Sequence, residues 1–238
     1  MKPKRIAFLT DTHLGDSTPA SYGINARKNL EIVLEDITWQ RVDSIVFGGD
    51  ITESSEYKWF FSRLETACPD YKVLLGNHDD FDEAVRYFHH LSEGEKELYY
   101  SHEDEGYRYL YLDSSATRLS TAQLAWLEKQ LATDKPIVLF VHHPILGFET
   151  GMDRIYPLQG RDTITRLLRQ CAKPVTVFCG HYHMADSRTD GNITQHITPA
   201  VSFQVNKESS SIDIYNGPFG YRLITISESG ITSKLRLF

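Results

Sequence analysis

Five short apolar runs, each ending abruptly on a side chain able to bind a metal, constrain this chain more than anything else in it. Residues 6–10 run into Asp11-Thr12-His13, 44–47 into Gly48-Gly49-Asp50, and 73–75 into Gly76-Asn77-His78-Asp79. Residues 137–141 run into His142-His143-Pro144, and 175–179 into Gly180-His181-Tyr182-His183. Apolar runs this short have strand length and suit strands buried on both faces. Amphipathic stretches separate them. Leu30, Val33, Leu34 and Ile37 fall at helical spacing within 29–39, and Trp59, Phe60, Phe61 and Leu64 suggest a second helix. Helices are also expected over 81–91 and 163–170, and Ser120-Thr121 opens one through Leu131, with Thr121 as its cap and Leu124, Leu127 and Leu131 on one face. Residues 107–112 alternate like a strand. Strands alternating with helices predict an α/β architecture with layered sheets. In open α/β sheets ligands sit beyond the carboxyl ends of the strands, so the five ends should converge on one crevice.

The pattern changes at about residue 192. Residues 212–215 and 221–226 are short and alternating, with Asn216-Gly217-Pro218 between them, which predicts β-hairpins and an antiparallel tail. No repeat or Pro-, Gly- or Ser-rich linker interrupts the chain, so a single domain over residues 1–238 is expected, β-rich from about 192. The formal net charge of −7 argues against non-specific nucleic-acid binding. No apolar run approaches the roughly 18 residues that would span a bilayer. Residues 6–10 are too short for a secretory core, and a cytoplasmic location is the default expectation. Three cysteines, Cys68, Cys171 and Cys179, lack the spacing of a disulfide framework or a structural zinc site. The sequence sets no oligomeric state, and a homodimer is compatible with it.

The donors at the strand ends are carboxylate, amide oxygen and imidazole, without thiolate. They suit Mn, Fe, Zn, Co or Ni better than copper(I) or an iron–sulfur cluster. In extended chain residues i and i+2 project to one side, so Asp11 with His13, and His181 with His183, can each point into one site. Glycine precedes Asp50, Asn77 and His181, where a missing Cβ lets backbone approach an ion closely. Each motif alone has a bland reading: a turn, a helix cap or a buried histidine. The ordered set of five is what carries weight.

That set, D-T-H, G-G-D, G-N-H-D, V-H-H-P and G-H-Y-H, closely resembles the calcineurin-like metallophosphoesterase superfamily. The resemblance implies a four-layer α/β/β/α sandwich with two packed mixed β-sheets. It implies two divalent or trivalent transition-metal ions. Asp11, His13, Asp50 and His183 would hold the first, and Asp50, Asn77, His142 and His181 the second, with Asp50 bridging. His78 would face the substrate phosphate and protonate the leaving group, Asp79 would orient His78, and His143 would stand behind the ligands. The implied nucleophile is a hydroxide bridging the metals.

Within the superfamily the pattern is most similar to bacterial class III cyclic-nucleotide phosphodiesterases, through 109–115 followed by 123–127, and through Thr198-Pro199-Ala200 with Gln204. The loop 147–161 departs from that group, with Gln159-Gly160-Arg161 where an Asn is common, and it is expected to border the pocket. Tyr22, Phe148 and Tyr156 lie in loops near the strand ends, placed to stack on a base. His89, His90, His102 and His196 read as scattered histidines without a site role. The expectation is thus a phosphodiesterase of small substrates such as 3',5'-cyclic nucleotides. The alternatives are a phosphomonoesterase, a nucleotide pyrophosphatase, a nuclease, or a non-catalytic binding scaffold.

Overall fold

The structure, a computed structural model, describes residues 2–52, 56–89 and 92–238. Apolar segments predicted as strands form the centres of two mixed sheets. In the first sheet β1 (Lys4–Leu9), β2 (Ser44–Phe47) and β3 (Tyr71–Val73) run parallel, in that order. A C-terminal hairpin of β12 (Gly220–Ser227) and β13 (Gly230–Leu237) extends it antiparallel to β1. The second sheet has β5 (Arg108–Leu112), β6 (Ile137–Val141) and β7 (Val175–Cys179) parallel at its centre. Beyond β7 lie β9 (Ile193–Ile197), parallel to it, and β8 (Asp186–Asp190), antiparallel to β9; β4 (Tyr100–Glu103) closes the other edge.

Alternation along the central strands explains the layering. Tyr109, Tyr111, Phe140 and Phe178 share one buried cluster with Phe8 of β1, so they fill the space between the sheets. Phe140 contacts Phe8, Phe178 and Tyr111 at ring-centroid distances of 5.6, 5.6 and 5.3 Å. Leu110, Leu112, Leu139, Val141 and Val177 face the other way, into a second cluster with Leu127 and Leu168. Those two leucines belong to α5 (Thr121–Gln130) and α7 (Arg161–Gln170), which cover the second sheet. On the first sheet, α2 (Ala26–Gln40) and α3 (Tyr57–Ala67) bury Leu30, Val33, Leu34, Ile37, Phe60 and Leu64. The result is the predicted α/β/β/α sandwich. Ser120, one residue before the expected Thr121, caps α5 by accepting from the amide of Gln123.

Two expectations need correction. The helix expected over 81–91 is a single turn, α4 (Phe81–Ala84), within the described residues; His90 and Leu91 lie outside them. Tyr87 and Phe88 instead lie stacked on Phe61, and this aromatic packing outweighs helix continuation. The hairpin expected around Asn216-Gly217-Pro218 does not form either. The strand before it, β11 (Ile214–Tyr215), pairs with β10 (Gln204–Val205), whereas the strand after it is β12. The turn of the long hairpin falls between Ser227 and Gly230. Short alternating runs fix which face is buried but not which strand is the partner.

Candidate metal centre

All five predicted strand ends open on one side of the sandwich. Two sheets bring them together: Asp11, His13, Asp50 and Asn77 follow strands of the first, and His142, His181 and His183 follow strands of the second. Asp11 and His13 do not project together from an extended strand. Asp11, His13, Asp50, His181 and His183 all adopt left-handed backbone, with φ of 59, 45, 57, 66 and 50°. Asp tolerates this region better than most residues, yet each such residue still costs on the order of 1 kcal/mol. Five together mark a backbone held in place for the directions of its side chains. Main-chain bonds provide the hold: the amide of Asp11 donates to Gly49 O (3.0 Å), and those of Thr12 and His13 donate to Asp50 O (2.9 and 3.1 Å). Glycines permit the crowding. A Cβ on Gly76 would lie 2.1 Å from Asp50 Oδ1, and one on Gly180 would lie 2.5 Å from Asp11 Oδ2.

Each carboxylate has one oxygen held by protein donors and one turned to the histidines. Asp11 Oδ2 accepts from the Thr10 hydroxyl (2.7 Å) and the His181 amide (3.1 Å), while Oδ1 lies 3.3 Å from His183 Nε2 and 3.9 Å from His142 Nε2. Asp50 Oδ1 accepts from the His78 amide (2.9 Å), while Oδ2 lies 3.2 Å from His142 Nε2 and 3.6 Å from His13 Nε2. Asp50 thus stands between a histidine of each predicted metal group. His13 Nε2 and His183 Nε2 approach to 3.2 Å.

The imidazoles are oriented from behind. His13 Nδ1 faces Asp16 Oδ2 (3.0 Å), His142 Nδ1 faces Gly48 O (2.8 Å) and His183 Nδ1 faces Phe203 O (2.8 Å). An oxygen of this kind only accepts, so Nδ1 carries the proton and Nε2 presents a lone pair inward, an arrangement common to metal-binding histidines. His181 is inverted: its Nε2 faces Tyr156 O at 3.1 Å, which leaves Nδ1 as the donor atom.

Electrostatics fit the same picture. Burial opposes ionisation of Asp11, but His183 and His142 overcome it and hold its carboxyl at about 2. Asp50 lies well below the usual carboxylate range for the same reason: burial opposes, and His142, His13 and His78 prevail. Burial lowers His142, yet Asp50 and Asp11 raise it to about 9. Burial, with His142 beside it, brings His181 down to about 3, and burial with His181 and His142 beside it pushes His143 well below the ordinary histidine range. Asp11 Oδ1, His142 Nε2 and His143 Nε2 are buried without a hydrogen-bond partner. Unsatisfied buried polar atoms are rare and costly, and these converge at one point. Two of them belong to residues expected to ligate. The cluster therefore fits a pair of transition-metal ions, whose binding would satisfy them and displace the proton from His142.

Asn77 is solvent-exposed in the turn after Gly76. His78 is half-buried with its ring edge-on to His13, centroids 4.8 Å apart. The Asp79 carboxylate accepts from four main-chain amides: Asp50 and Gly76 on Oδ2 (both 2.8 Å), Ile51 (2.8 Å) and Thr52 (3.3 Å) on Oδ1. With the Tyr57 hydroxyl also 3.4 Å from Oδ1, these bonds make Asp79 the anchor of the turn that carries Asp50. Burial and the Asp50 charge push it up to about 7. Sequence reasoning missed Asp16, although its spacing of three from His13 was there to read. It also missed the carbonyls of Gly48, Tyr156 and Phe203, for which no side chain gives a signal.

With that geometry in place, the comparisons agree. The family model of the calcineurin-like phosphoesterases matches residues 4–185. The chain belongs to that family. It is a metal-dependent phosphoesterase by that membership and by its buried Asp/His clusters. A relative from Fibrobacter succinogenes, named a probable cyclic nucleotide phosphodiesterase, is 24% identical over 240 residues, covering 98% of this chain and 94% of its own. Another from Arcobacter nitrofigilis, named a probable glycerophosphodiester phosphodiesterase, is 30% identical over 216 residues, covering 84% of this chain and 79% of its own. A dimetal phosphatase from Danio rerio shares the fold, with a TM-score of 0.67, 12% identity and 99% of both chains covered.

Proposed function

We propose that this calcineurin-like phosphoesterase is a phosphodiesterase of small substrates, with 3',5'-cyclic nucleotides its leading candidate. The observation that carries the reading is the state of its arginines. A monoester brings a second negative charge, which calls for a cationic fork. Arg154 and Arg161, in the segment after His142-His143-Pro144, are the candidates for that duty, and both are engaged elsewhere. Both terminal nitrogens of the Arg161 guanidinium, Nη1 and Nη2, pair with Asp153, whose carboxylate also accepts from the Tyr182 hydroxyl. Arg154 donates to Ser210 O at 3.1 Å. A diester carries one charge, and the Fibrobacter and Arcobacter relatives are both named for diester substrates.

Asp11, His13, Asp50 and His183 would hold one ion, and Asp50, Asn77, His142 and His181 the other. Bound there, the ions supply Lewis acidity that neutralises phosphoryl oxygens and brings the pKa of a water near neutral. The protein supplies the rest. His78, at the mouth of the cluster, protonates the leaving alkoxide oxygen. Asp79 keeps the Asp50 turn in register, and Asp16 keeps His13 aimed inward. A cavity of about 450 Å³ opens beside His13 and Asp16, lined also by Gly23, Asn25 and Arg27. It offers room for the second ester arm, and Tyr22 is exposed next to its wall. Turnover of bis- and mono-p-nitrophenyl phosphate, cyclic AMP and glycerophosphodiesters at equal Mn²⁺ loading tests the reading. The expected result is a higher kcat/KM for diesters. A preference for the monoester that Arg161→Ala abolishes would make this a phosphomonoesterase.

A further inference from the structure

His143 sits among the metal-binding histidines but is held differently from all of them. One of its ring nitrogens lies within 4.8 Å of ring nitrogens of His142 and His181, and its ring centroid is 4.0 Å from that of His181. By proximity alone it would be counted as a further ligand. Its orienting partner says otherwise. His13, His142, His181 and His183 each face a carboxylate or carbonyl oxygen, which can only accept. His143 Nδ1 faces a hydroxyl, Ser114 Oγ, at 2.9 Å. That same oxygen already accepts the main-chain N–H of His143 at 3.2 Å.

Ser114 is fully buried, so its hydroxyl proton needs an acceptor inside the protein. Of the two groups within hydrogen-bond distance of Ser114 Oγ, the His143 amide can only donate, and His143 Nδ1 is the one able to accept. A hydroxyl that donates to Nδ1 fixes the ring with its own proton on Nε2. That nitrogen then has no lone pair to give a metal. It is buried, and it has no hydrogen-bond partner. A buried N–H without an acceptor destabilises a fold, and such groups persist where a ligand completes them.

We propose that His143 is a hydrogen-bond donor to the phosphoryl oxygen of the substrate and not a metal ligand, with Ser114 as the residue that sets its tautomer. The inference rests on the dinuclear reading of the site and adds a contact to it. Two phosphoryl contacts follow, one from the half-buried His78 and one from the buried His143.

Two measurements test this. In metal-free full-length protein with ¹⁵N-labelled histidine, long-range ¹H–¹⁵N correlation should show His143 as the Nε2–H tautomer, its signals identified by their loss in His143→Gln. In metal-loaded protein, His143→Ala should keep its metal content while its inhibition constant for inorganic phosphate rises about tenfold, the usual loss for one bond to a charged oxygen. Ser114→Ala, a milder change, should weaken phosphate binding in the same direction at full metal content, and it keeps the test open if His143→Ala does not fold. An Nδ1–H tautomer, loss of an ion in His143→Ala, or an unchanged phosphate constant would each overturn the proposal. If the wild-type chain takes up no metal, the dinuclear reading fails instead, and the tautomer spectrum still decides for or against His143 as a donor.

Discussion

The two sheets contribute unlike halves to the centre. The first supplies both carboxylates, Asp11 and Asp50, with His13 and Asn77; the second supplies only imidazoles, His142, His181 and His183. Neither half is stable alone in that form. Two buried carboxylates repel one another, and buried imidazoles lose hydration without a partner. Brought together they compensate, since the close carboxylate–imidazole approaches from Asp11 to His183, and from Asp11 and Asp50 to His142, cross from one sheet to the other. The site is thus part of the contact between the sheets, and without metal the protons on its histidines do part of a metal's work.

Removing the shared carboxylate breaks this arrangement most severely. Asp50→Ala should lose both bound metal and activity, because Asp50 stands between the two groups and leaves His142 buried without its main counter-charge. Elemental analysis and turnover on the same sample check it; retained metal would show that Asp50 does not join the halves. His78→Ala comes next. His78 is half-buried and adds less than His142 and His13 to holding Asp50 ionised, so turnover should fall roughly 10²–10⁴-fold, the range for a positioned acid–base group, with metal content nearly unchanged.

The cross-sheet pairs also give the metal-free protein a pH signature. Asp11, lowered from 3.8 to about 2, contributes stability that is present above 3.8 and lost as pH falls through 2. His142, raised from 6.5 to about 9, contributes stability that is fully present below 6.5 and lost as pH rises through 9. These two contributions are both present between about pH 4 and 6.5, where the lowered His181 and His143 and the raised Asp79 oppose them, so the signature to read is a fall in melting temperature between about pH 7 and 9 as the His142 contribution is lost. Metal-loaded protein should keep its stability there, because the ion replaces the proton. Equal alkaline loss in both forms would count against the compensation between sheets.

The smallest effect expected lies on the first sheet alone. Asp36 of α2 accepts from the Tyr221 hydroxyl (2.7 Å) and from Arg236 Nε and Nη2 (3.0 and 2.7 Å), which ties the C-terminal hairpin to the helix layer. Asp36→Asn should cost about 1 kcal/mol in denaturant unfolding, as befits a partly exposed bidentate pair, and leave metal content unchanged. A change in metal content would mean the hairpin reaches the centre.

What could be read from the sequence follows the same division. The central parallel strands were legible because their apolar runs are dictated by burial on both faces, and 44–47, 137–141 and 175–179 match β2, β6 and β7 residue for residue. The metal-capable side chains were legible because each ends such a run. The partner of β11 and the length of α4 were not, since both depend on contacts distant in sequence. The anchoring role of Asp79 was not legible for a related reason: besides the nearby Gly76 amide, it accepts from the amides of 50–52, which come within reach only after β2 and β3 pair.

The most direct test of the joint centre is the number of ions it holds. Protein reconstituted with Mn²⁺ and freed of loosely bound metal should contain about two ions per chain, and strong chelators should remove its activity. A content near zero, or activity indifferent to chelation, would contradict the account of a centre shared between the two sheets.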